Sequence, residues 1–313
     1  MRLFEGSWIK IARQGLLFLI STVVVYGVVV LILSTIKVGG IPLIYRCTYG
    51  LVWKGGLTYK RYQSFDENKN YDVLVFGSSR ANRGINPKIF EEHQISCFNL
   101  ATDDQTPLNS RVLIEEFVTK SNCKIVILDL YDRIFAQDDN ESSMDLIQNV
   151  SKTKTAFKMM SNVGSIRSLN SFAVRLSLLN SPPVYHREDS LYKGFRFRRH
   201  EKFKSGFFNY QYIVRPGYID DLDQIITYLK EIDVQLILVC QPMPFHHFGI
   251  YHQQMLEDIR PVLEKHQIQL HDFTNDIQIG RISNFIDECH LNKKGADEYS
   301  ELIIDSLFTN HFK

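Results

Sequence analysis

The sequence predicts an α/β protein with three layers, in which helices cover both faces of a five-stranded parallel sheet and one transmembrane helix precedes them. Two observations lead to this fold class. Short apolar runs alternate with segments of helical periodicity over most of residues 71–313, which is the pattern of a parallel sheet. One long apolar run without charges lies near the N-terminus, which is the pattern of a membrane-spanning helix.

The composition is that of a globular protein. The chain has 313 residues, of which 44% are hydrophobic and 23% are charged, enough for one large domain or two small ones. The formal net charge of +1 gives no support for a nucleic-acid partner. The five cysteines are far apart and form no Cys-x-x-Cys pair, so neither a disulfide framework nor a zinc site is expected.

The N-terminal segment predicts a membrane anchor. Leu16–Ile36 has 21 residues without a charge, and at about 1.5 Å per residue it can cross a hydrocarbon core of about 30 Å. The cations that flank this run are Arg2, Lys10, Arg13, Lys37 and Arg46. Their bias favours a cytoplasmic N-terminus, so we expect a single-pass protein of the cell membrane with an extracytoplasmic main domain. A cleaved signal peptide is the alternative, but the run is too long and lacks a clear Ala-x-Ala site.

The alternating pattern gives approximate bounds for the elements of a flavodoxin-like sheet. The predicted strands lie at 71–77, 95–100, 124–130, 234–240 and 268–273. The predicted helices lie near 87–93, from Thr106 onward, at 220–232, around 250–266 and from 292. Thr106 is expected to cap its helix, and Pro107 to occupy the first helical position.

Three parts of the chain follow from these patterns. Residues 1–37 are expected to form the cytoplasmic N-terminus and the anchor in the lipid bilayer (residues 16–36), residues 38–70 a stalk, and residues 71–313 the main domain. The alternation breaks at about 132–218. This insert follows the third strand and so emerges at the sheet edge where ligands bind, and we expect it to form a lid or a substrate platform.

A serine follows the first strand of this sheet. Val73-Leu74-Val75-Phe76 has the composition of a buried parallel strand, and Gly77-Ser78-Ser79-Arg80 follows it as a tight turn. Open α/β sheets bind ligands at the carboxyl ends of their strands, so the turn presents a hydroxyl at such an edge. A phosphate bound at the start of the next helix is the alternative use of this turn.

A candidate base and its partner lie near the C-terminus. A serine becomes a good nucleophile when a base takes its proton and a third group orients that base. Asp287 and His290 are separated by two residues in a loop before the last helix. At that spacing the carboxylate can reach the imidazole Nδ1 and leave Nε2 free for a nucleophile. The order serine, aspartate, histidine is one of several that produce this geometry.

The serine turn and the C-terminal pair resemble two sequence blocks of the SGNH/GDSL hydrolase superfamily. Gly77-Ser78-Ser79 matches the family's Gly-Asp-Ser block, with Ser79 in the position of the nucleophile. Asp287 and His290 match its Asp-x-x-His block, in which the histidine is the base and the aspartate orients it. The resemblance covers roughly residues 71–131 and 220–313, and it leaves out the anchor and the insert.

Two further blocks of that family are incomplete in this chain. The second block usually reads Asn-x-Gly-x-x-Gly-x-Thr. Residues 99–106 keep its asparagine and threonine but have Ala101 and Asp104 in place of the glycines. The third block, Gly-x-Asn-Asp, is not recognisable in Asp129-Leu130-Tyr131-Asp132-Arg133. In the family, these two blocks supply donors to the oxyanion of the tetrahedral intermediate.

The resemblance implies that the N–H of Ser79 is one donor of an oxyanion hole. The candidates for the other donors or for substrate contacts are the N–H of Asp104 and the side chains of Gln105, Asn99, Asn109 and Arg80. The sequence does not choose among them. The choice matters, since removing one such donor typically slows a reaction by about 10²–10³.

One branch of the superfamily is the most similar to this chain. The resemblance to this branch rests on four patterns: Gly-Ser-Ser-Arg, Asn-Leu…Gln-Thr-Pro, Ile-Leu-Asp-Leu-Tyr and Asp-x-x-His-Leu-Asn. Proteins of that branch are membrane-anchored and extracytoplasmic, and are associated with acyl modification of surface polysaccharides or wall polymers, often beside a multi-span membrane acyltransferase. The resemblance implies a serine esterase or O-acyltransferase that acts on a surface glycan through an acyl-serine, without a cofactor. A catalytically silent subunit that binds glycan or assembles with a membrane acyltransferase is the alternative.

Two other features have both a functional and a structural interpretation. Residues 187–204 carry seven Lys or Arg against three acids, with aromatic residues between them. This pattern suits an anionic polymer or lipid headgroups, but a solvated loop with buried aromatic side chains is the simpler explanation. His246-His247 has no carboxylate or cysteine at ligand spacing, so no metal site is expected there. Gln241, His246 and His247 remain candidates for substrate contacts.

Overall fold

A computed structural model of the chain describes residues 2–47, 53–184, 190–197, 203–204, 211–244 and 250–308. Its N-terminal part contains α1 (Arg2–Thr35), β1 (Lys37–Val38), β2 (Ile41–Pro42), α2 (Leu43–Cys47) and α3 (Gly56–Ser64). The next part contains β3 (Tyr71–Phe76), α4 (Ser79–Gly84), α5 (Pro87–Glu92), β4 (Cys97–Asn99), α6 (Pro107–Phe117) and β5 (Cys123–Asp129).

The remaining elements belong to the insert and to the C-terminal part. The insert contains α7 (Asp132–Ala136), α8 (Asn140–Asn149), α9 (Thr153–Val163), α10 (Ile166–Ser177), β6 (Ser190–Tyr192) and β7 (Phe195–Phe197). The C-terminal part contains α11 (Tyr218–Glu231), β8 (Gln235–Cys240), α12 (Ile250–His266), β9 (Leu270–Asp272), a 3₁₀ turn (Ile282–Asn284) and α13 (Lys293–Leu307).

The five strands of the main sheet are parallel and lie in the order β4-β3-β5-β8-β9. Numbered along the chain, this is the order 2-1-3-4-5 of a flavodoxin-like sheet. The predicted sheet is therefore confirmed, and the bounds of its strands differ from the predicted ones by one or two residues. The helix at Pro107 also begins as predicted, because Thr106 caps it in a capping box with Asn109.

Alternate side chains of the strands enter two hydrophobic clusters, one on each face of the sheet, as the period of a strand requires. The strand residues that pack with α6, α11 and α12 include Leu74, Phe76, Val126, Leu128 and Leu238. The strand residues that pack with α4, α5 and α13 include Val73, Val75, Ile125, Ile127 and Val239. Each such side chain contributes about 1.5–3 kcal/mol relative to an exposed one. This arrangement confirms the three predicted layers.

The predicted stalk at residues 38–70 needs correction, because α3 is part of the folded domain. Arg61 and Tyr62 of α3 are almost fully buried. The guanidinium of Arg61 donates from Nε and Nη2 to the carbonyl oxygen of Gly194, at 3.0 and 2.9 Å. The Tyr62 hydroxyl donates to the carbonyl oxygen of Leu100 at 3.2 Å. These two side chains are polar and yet buried, since their polar groups find backbone partners.

The insert divides into a helical part and a hairpin. Helices α8 and α10 enter a small hydrophobic cluster with the end of α1; its members include Val30, Ile44, Tyr45, Met144, Val174 and Leu178. The antiparallel hairpin β6–β7 reaches the edge of the main sheet, where the carbonyl oxygen of Lys193 accepts from the N–H of Asn99 at 2.9 Å. The hairpin therefore lies beside the edge strand β4, whereas α10 lies beside α1.

Helix α1 is long and apolar enough over Trp8–Thr35 to cross a membrane. That conclusion rests on length and composition, and a signal sequence passes the same test. Most large apolar side chains of this helix are exposed, as in Phe18 and Val25.

Candidate active site

The turn that carries Ser79 depends on a glycine. β3 ends at Phe76, and Gly77 has φ 137, a conformation that other residues rarely adopt. A Cβ on Gly77 would also lie 3.0 Å from the Cβ of Ala81 and 3.1 Å from the Cβ and carbonyl oxygen of Asp129. Ser78 caps the next helix, its Oγ accepting from the N–H of Arg80 at 3.3 Å. Ser79 is therefore the first residue of α4, at the carboxyl end of a central strand.

Replacing Gly77 by alanine is expected to lower the free energy of unfolding by about 1–3 kcal/mol, through backbone strain and the close contacts of the new Cβ. Chemical denaturation of the purified full chain in detergent measures this change. The matched control is Gly217→Ala, because Gly217 also has a positive φ of 84, but a Cβ added there would have no atom within 4 Å. Equal losses in the two variants would show that crowding at the serine turn contributes nothing.

The structure brings Ser79, His290 and Asp287 together. His290 Nε2 lies 2.8 Å from Ser79 Oγ, and His290 Nδ1 lies 2.9 Å from both carboxylate oxygens of Asp287. All three distances are those of hydrogen bonds. An ionised carboxylate can only accept, so Nδ1 carries the proton and Nε2 accepts from the Ser79 hydroxyl. This tautomer is the one that a general base beside a serine requires.

Asp287 is held in its ionised form. Burial opposes its charge, but hydrogen bonds and the nearby imidazole of His290 outweigh burial and lower its pKa to about 2. The backbone N–H groups of Cys289 and His290 also donate to Asp287 Oδ1, at 3.0 and 2.9 Å. A carboxylate that accepts several such bonds is stabilised as the anion. Asp287 therefore remains charged over the whole physiological pH range.

The loop that carries His290 is fixed at both ends. The N–H of Ile286 donates to the carbonyl oxygen of His290 at 2.9 Å, and Phe285 pairs with Leu291 in an antiparallel bridge. Asn292 then caps α13, with its side chain accepting from the N–H of Gly295 at 3.0 Å. The imidazole is thus positioned by backbone contacts on either side of it.

Asn99 holds α4 in place and does not donate to the oxyanion, so the prediction that it is a candidate oxyanion donor was wrong. Its Nδ2 donates to the carbonyl oxygens of Ala81 and Ile85, both at 2.9 Å. Its Oδ1 accepts from the N–H of Ala101 at 3.1 Å. Asn99 is fully buried, and these bonds tie the end of β4 to the helix that begins with the nucleophile.

Gln105 and Asn109 are also committed to local structure, and their candidacy as donors was wrong. Gln105 Oε1 accepts from Thr102, and Gln105 Nε2 donates to Ser110 Oγ at 2.9 Å. Asn109 Nδ2 donates to Ser143 Oγ at 2.7 Å. Both side chains are fully buried, so neither amide is available to a substrate.

Arg80 anchors α4 beneath the site. Its guanidinium is buried, donates from Nη2 to the carbonyl oxygen of Gln241, and lies 4.7 Å from the ring centroid of Tyr131. Burial opposes the charge of Arg80, but the nearby Asp129 raises its pKa overall. Burial in turn raises the pKa of Asp129 to about 6, against the opposing effect of Arg80. Arg80 therefore links the serine helix to the end of β8, and the structure does not assign it to the oxyanion.

Asp104 has a backbone conformation that is typical of glycine. Its φ is 52, in the left-handed region that favours glycine. Burial raises the pKa of its carboxyl group, and Asp103 adds to this, while the charge of Arg133 acts in the opposite direction. Among the candidates that the sequence offers for the second donor, Asp104 is the one with a left-handed backbone conformation.

The sequence does not single out two residues that lie near the site. Cys289 Sγ lies 3.4 Å from His290 Nδ1, and Asp287, Cys289 and His290 have donor atoms close enough to hold a metal ion. Burial raises the pKa of Cys289 to about 12, so its thiol is neutral. Both imidazole nitrogens already have partners in the triad, so neither is free to bind a metal ion.

Asn82 is the second of these residues. It lies one turn after the nucleophile and donates to Asp103 Oδ1 at 2.8 Å. A cysteine beside a histidine and an amide on a short helix give no distinctive sequence signal.

Some sequence candidates lie outside the described residues. These are His246, His247 and two parts of the basic aromatic segment, 187–189 and 198–202. Within the part of that segment that is described, Arg196 forms an ion pair with Asp103, with Nη1 and Oδ2 2.8 Å apart. Gln241 is fully buried at the end of β8.

Neither a protein-family model nor a characterised protein matches the chain. Among solved structures, it is similar to an acetyl xylan esterase, with 11% identity and a TM-score of 0.41 over 75% of this chain and 99% of that chain. A GDSL-like lipase from Bacteroides thetaiotaomicron has 10% identity and a TM-score of 0.38 over 80% of this chain and 96% of that chain. A psychrotrophic esterase from a Pseudoalteromonas species has 12% identity and a TM-score of 0.38 over 76% and 96%.

Because the identities and TM-scores are low, the activity of this chain is inferred from the geometry of its site alone. A serine, a histidine and an aspartate that are joined by hydrogen bonds in this order, at the carboxyl edge of a parallel sheet, form the kind of site that serine hydrolases use.

Proposed function

We propose that this chain is a serine hydrolase that cleaves acyl esters through an acyl-Ser79 intermediate. The observation that carries the proposal is the 2.8 Å contact between His290 Nε2 and Ser79 Oγ. In the same arrangement, the other ring nitrogen of His290, Nδ1, donates to Asp287 at 2.9 Å. A nucleophile, a base and an orienting group in contact are the signature of an activated serine.

The proposed reaction has two halves that use the same groups. Ser79 Oγ attacks the ester carbonyl carbon while its proton passes to His290 Nε2, and the tetrahedral intermediate then loses the alcohol, which takes that proton. Water attacks the acyl-serine in the second half, with His290 again as base, and releases the carboxylic acid and free Ser79. A sugar hydroxyl in place of water completes an acyl transfer. Asp287 stays ionised throughout and stabilises the imidazolium.

Two backbone amides are the oxyanion donors that this proposal assigns. The first intrahelical hydrogen bond of α4 joins the N–H of Asn82 to the carbonyl oxygen of Ser78 at 3.1 Å, so the N–H of Ser79 has no acceptor within the helix. The N–H of Asp104 lies in a turn with φ 52. The carboxylate of Asp104 disfavours an anion nearby, so the hole is expected to be weaker than one with glycine at this position.

Replacing Asp104 by glycine is expected to raise kcat about tenfold. A like charge near the developing oxyanion costs roughly 1–2 kcal/mol at an effective dielectric constant of about 20, and glycine keeps the left-handed backbone. Steady-state hydrolysis of p-nitrophenyl acetate by the purified full chain measures the change. Asp104→Ala is the control, because it removes the same charge but strains the left-handed turn. Its kcat is therefore expected to rise less than that of Asp104→Gly. An unchanged or lower kcat in Asp104→Gly contradicts the assignment of this turn.

We further propose that the substrate is an acylated cell-surface glycan or wall polymer, and that the site faces the extracytoplasmic side with the N-terminus in the cytoplasm. The apolar helix α1 supports a membrane location. Its last turns also pack into the folded domain, with Val30 and Ser34 almost fully buried, and this favours a retained anchor over a cleaved signal. A multi-span membrane acyltransferase is the partner that would supply or receive the acyl group.

The experiment compares hydrolysis and transfer with the full chain in detergent. Acetylated oligosaccharide and p-nitrophenyl acetate are offered with and without an unacetylated sugar acceptor, and the products distinguish free acetate from acetylated acceptor. A fluorophosphonate probe reports whether Ser79 is activated. A chain that binds the oligosaccharide but neither turns it over nor takes the probe is the silent subunit, and that result overturns the proposed hydrolase.

The phosphate-binding alternative has less support from the site. Ser79 Oγ is hydrogen-bonded to His290. Asp287 is an ionised carboxylate, because its hydrogen bonds and the nearby His290 outweigh burial and lower its pKa to about 2. A fixed negative charge behind the hydroxyl disfavours a bound phosphate. This arrangement gives Asp287 and His290 a role in base catalysis that phosphate binding does not.

A further inference from the structure

Helix α10 of the insert is attached to the C-terminal third of α1. The Tyr26 hydroxyl donates to Asn170 Oδ1 at 2.9 Å, and the hydroxyl oxygens of Ser34 and Ser177 are 2.7 Å apart. Between these two points, Val30 of α1 shares a hydrophobic cluster with Val174 of α10. The two helices therefore run side by side over residues 26–34 of α1.

This contact sets the depth of α10 relative to a membrane. Tyr26 lies ten residues before the end of the uncharged run Leu16–Ile36, about 15 Å along a helix. The hydrocarbon core of a bilayer is about 30 Å thick. If Leu16–Ile36 spans the core, α10 lies beside the outer half of the anchor, at the level of one leaflet.

The surface of α10 that remains uncovered is apolar. Ile166, Leu169 and Leu176 are 78%, 56% and 47% exposed, and their spacing of three and seven residues places them on one side of the helix. Phe157 of α9 is 53% exposed and contacts the ring of Phe172 at 5.7 Å between centroids. A contiguous apolar surface of this kind marks a contact with a membrane or a protein.

The charges around this surface favour a lipid membrane with anionic headgroups. Residues 146–187 contain no Asp or Glu. The cations of α9, α10 and the residue before α9 are Lys152, Lys154, Lys158, Arg167 and Arg175. Arg175 is buried, and the three lysines pair with Glu67, Glu115 or Glu116. The side chain of Lys154 is nevertheless 81% exposed, and Arg167 is exposed next to Ile166. Basic amphipathic helices with exposed Leu, Ile and Phe lie in the interface of anionic bilayers.

We propose that the apolar stripe Ile166, Leu169 and Leu176 is buried in the outer leaflet of the bilayer, so that α10 is a second, interfacial anchor beside α1. The inference rests on the membrane location given under the proposed function. A single transmembrane helix lets a domain swing about its exit point, whereas two contacts with the bilayer fix its orientation. The second anchor therefore holds the domain, and Ser79 with it, at one height and angle above the membrane.

Site-directed spin labelling of the full chain in vesicles tests this inference. Cys47→Ser removes the exposed native thiol, and Leu169→Cys and Leu176→Cys each receive a nitroxide. The protein is reconstituted into vesicles of phosphatidylcholine and phosphatidylglycerol. Collisions with oxygen, which enters lipid, and with a neutral nickel chelate, which stays in water, are then compared. Val25→Cys on the exposed surface of α1 and Glu257→Cys on the exposed surface of α12 are the lipid and water references.

Labels at 169 and 176 are expected to have an oxygen-to-nickel accessibility ratio several-fold above that of Glu257→Cys and close to that of Val25→Cys. A ratio equal to that of Glu257→Cys means that α10 faces water, which overturns the proposal. A label protected from both reagents means that a second copy of the chain covers α10, which also overturns it. A water-like value at Val25→Cys shows that α1 itself is not in lipid, and the proposal falls with it. The labels report position and not turnover, so hydrolysis by Ser79 is judged separately.

Discussion

Replacing Ser79 by alanine is expected to lower kcat for p-nitrophenyl acetate by about 10⁴-fold or more, with only binding and oxyanion contacts left to act. The reason is that His290 Nε2, 2.8 Å from Ser79 Oγ, would have no hydroxyl to deprotonate. Steady-state kinetics of the purified full chain measure kcat, and the fluorophosphonate probe should no longer label the protein. KM is expected to change little, because alanine leaves the surroundings of the site intact.

The matched control for this prediction is the neighbouring serine. Ser78→Ala removes the cap on Arg80 N–H and is expected to cost about 1 kcal/mol of stability. Its kcat should stay within about tenfold of the unmodified chain, since about 1 kcal/mol corresponds to less than a factor of ten in a rate or equilibrium. Full turnover by Ser79→Ala, or an equal loss in the two variants, would contradict the assignment of Ser79 as the nucleophile.

The sheet was predictable because its strands are buried on both faces. A strand such as β3 or β5 is covered by helices on each side, so it must be apolar throughout, and that run is visible in the sequence. The strand order was predictable for a related reason, since the alternation with helices requires crossover connections and leaves few topologies. The ends of the short strands β4 and β9 were harder to predict. Each lies at an edge of the sheet and pairs with a neighbouring strand on one side only.

The catalytic candidates were predictable from position, whereas the oxyanion candidates were not. Ser79 follows a strand and His290 precedes a helix, so the fold alone brings both to the same edge of the sheet. Asn99 and Gln105 lie at that edge too, but an amide can donate to a substrate or to a backbone carbonyl. Asn99 clamps Ala81 and Ile85, and sequence position does not decide between these uses.

The long-range polar contacts of the outer elements were not predictable. Arg61 lies in a polar segment, yet its guanidinium is buried against the carbonyl oxygen of Gly194, 133 residues away along the chain. The contact between Tyr26 and Asn170 likewise joins residues 144 apart. A hydrogen bond between residues so distant in sequence leaves no periodicity, so the attachment of the insert to α1 emerges only in the folded chain.

Replacing Asp287 by asparagine is expected to lower kcat by about 10⁴-fold, because an amide NH₂ can donate to Nδ1 and favour the tautomer with a proton on Nε2. That proton would face Ser79 Oγ, and the imidazole could no longer accept from it. Hydrolysis of p-nitrophenyl acetate by the full chain measures kcat, and KM should remain similar. The fluorophosphonate reaction should slow in parallel.

The chain contains a matched control for this substitution. Asp272 accepts from His252 Nε2 at 2.8 Å, and although burial opposes its charge, hydrogen bonds from His252 and Thr274 lower its pKa to about 2. It is the same kind of pair without a serine in contact. Asp272→Asn should therefore keep kcat within a few-fold of the unmodified chain. A comparable loss in both variants would mean that the effect is on folding and not on the tautomer of His290.

The stability of Asp287→Asn provides a second test with a defined pH dependence. Asp287 has a folded pKa of about 2, below its ordinary value of 3.8, because the hydrogen bonds from His290 and Cys289 and the nearby imidazole outweigh burial. A depressed pKa stabilises the fold fully above the unfolded value and loses that contribution as the pH falls through the folded value. The stability advantage of the unmodified chain should thus be constant above about pH 5 and shrink between pH 4 and 2. Urea unfolding at pH 7, 5 and 3 measures it, and an advantage that stays constant across this range means that the carboxylate is not held by His290.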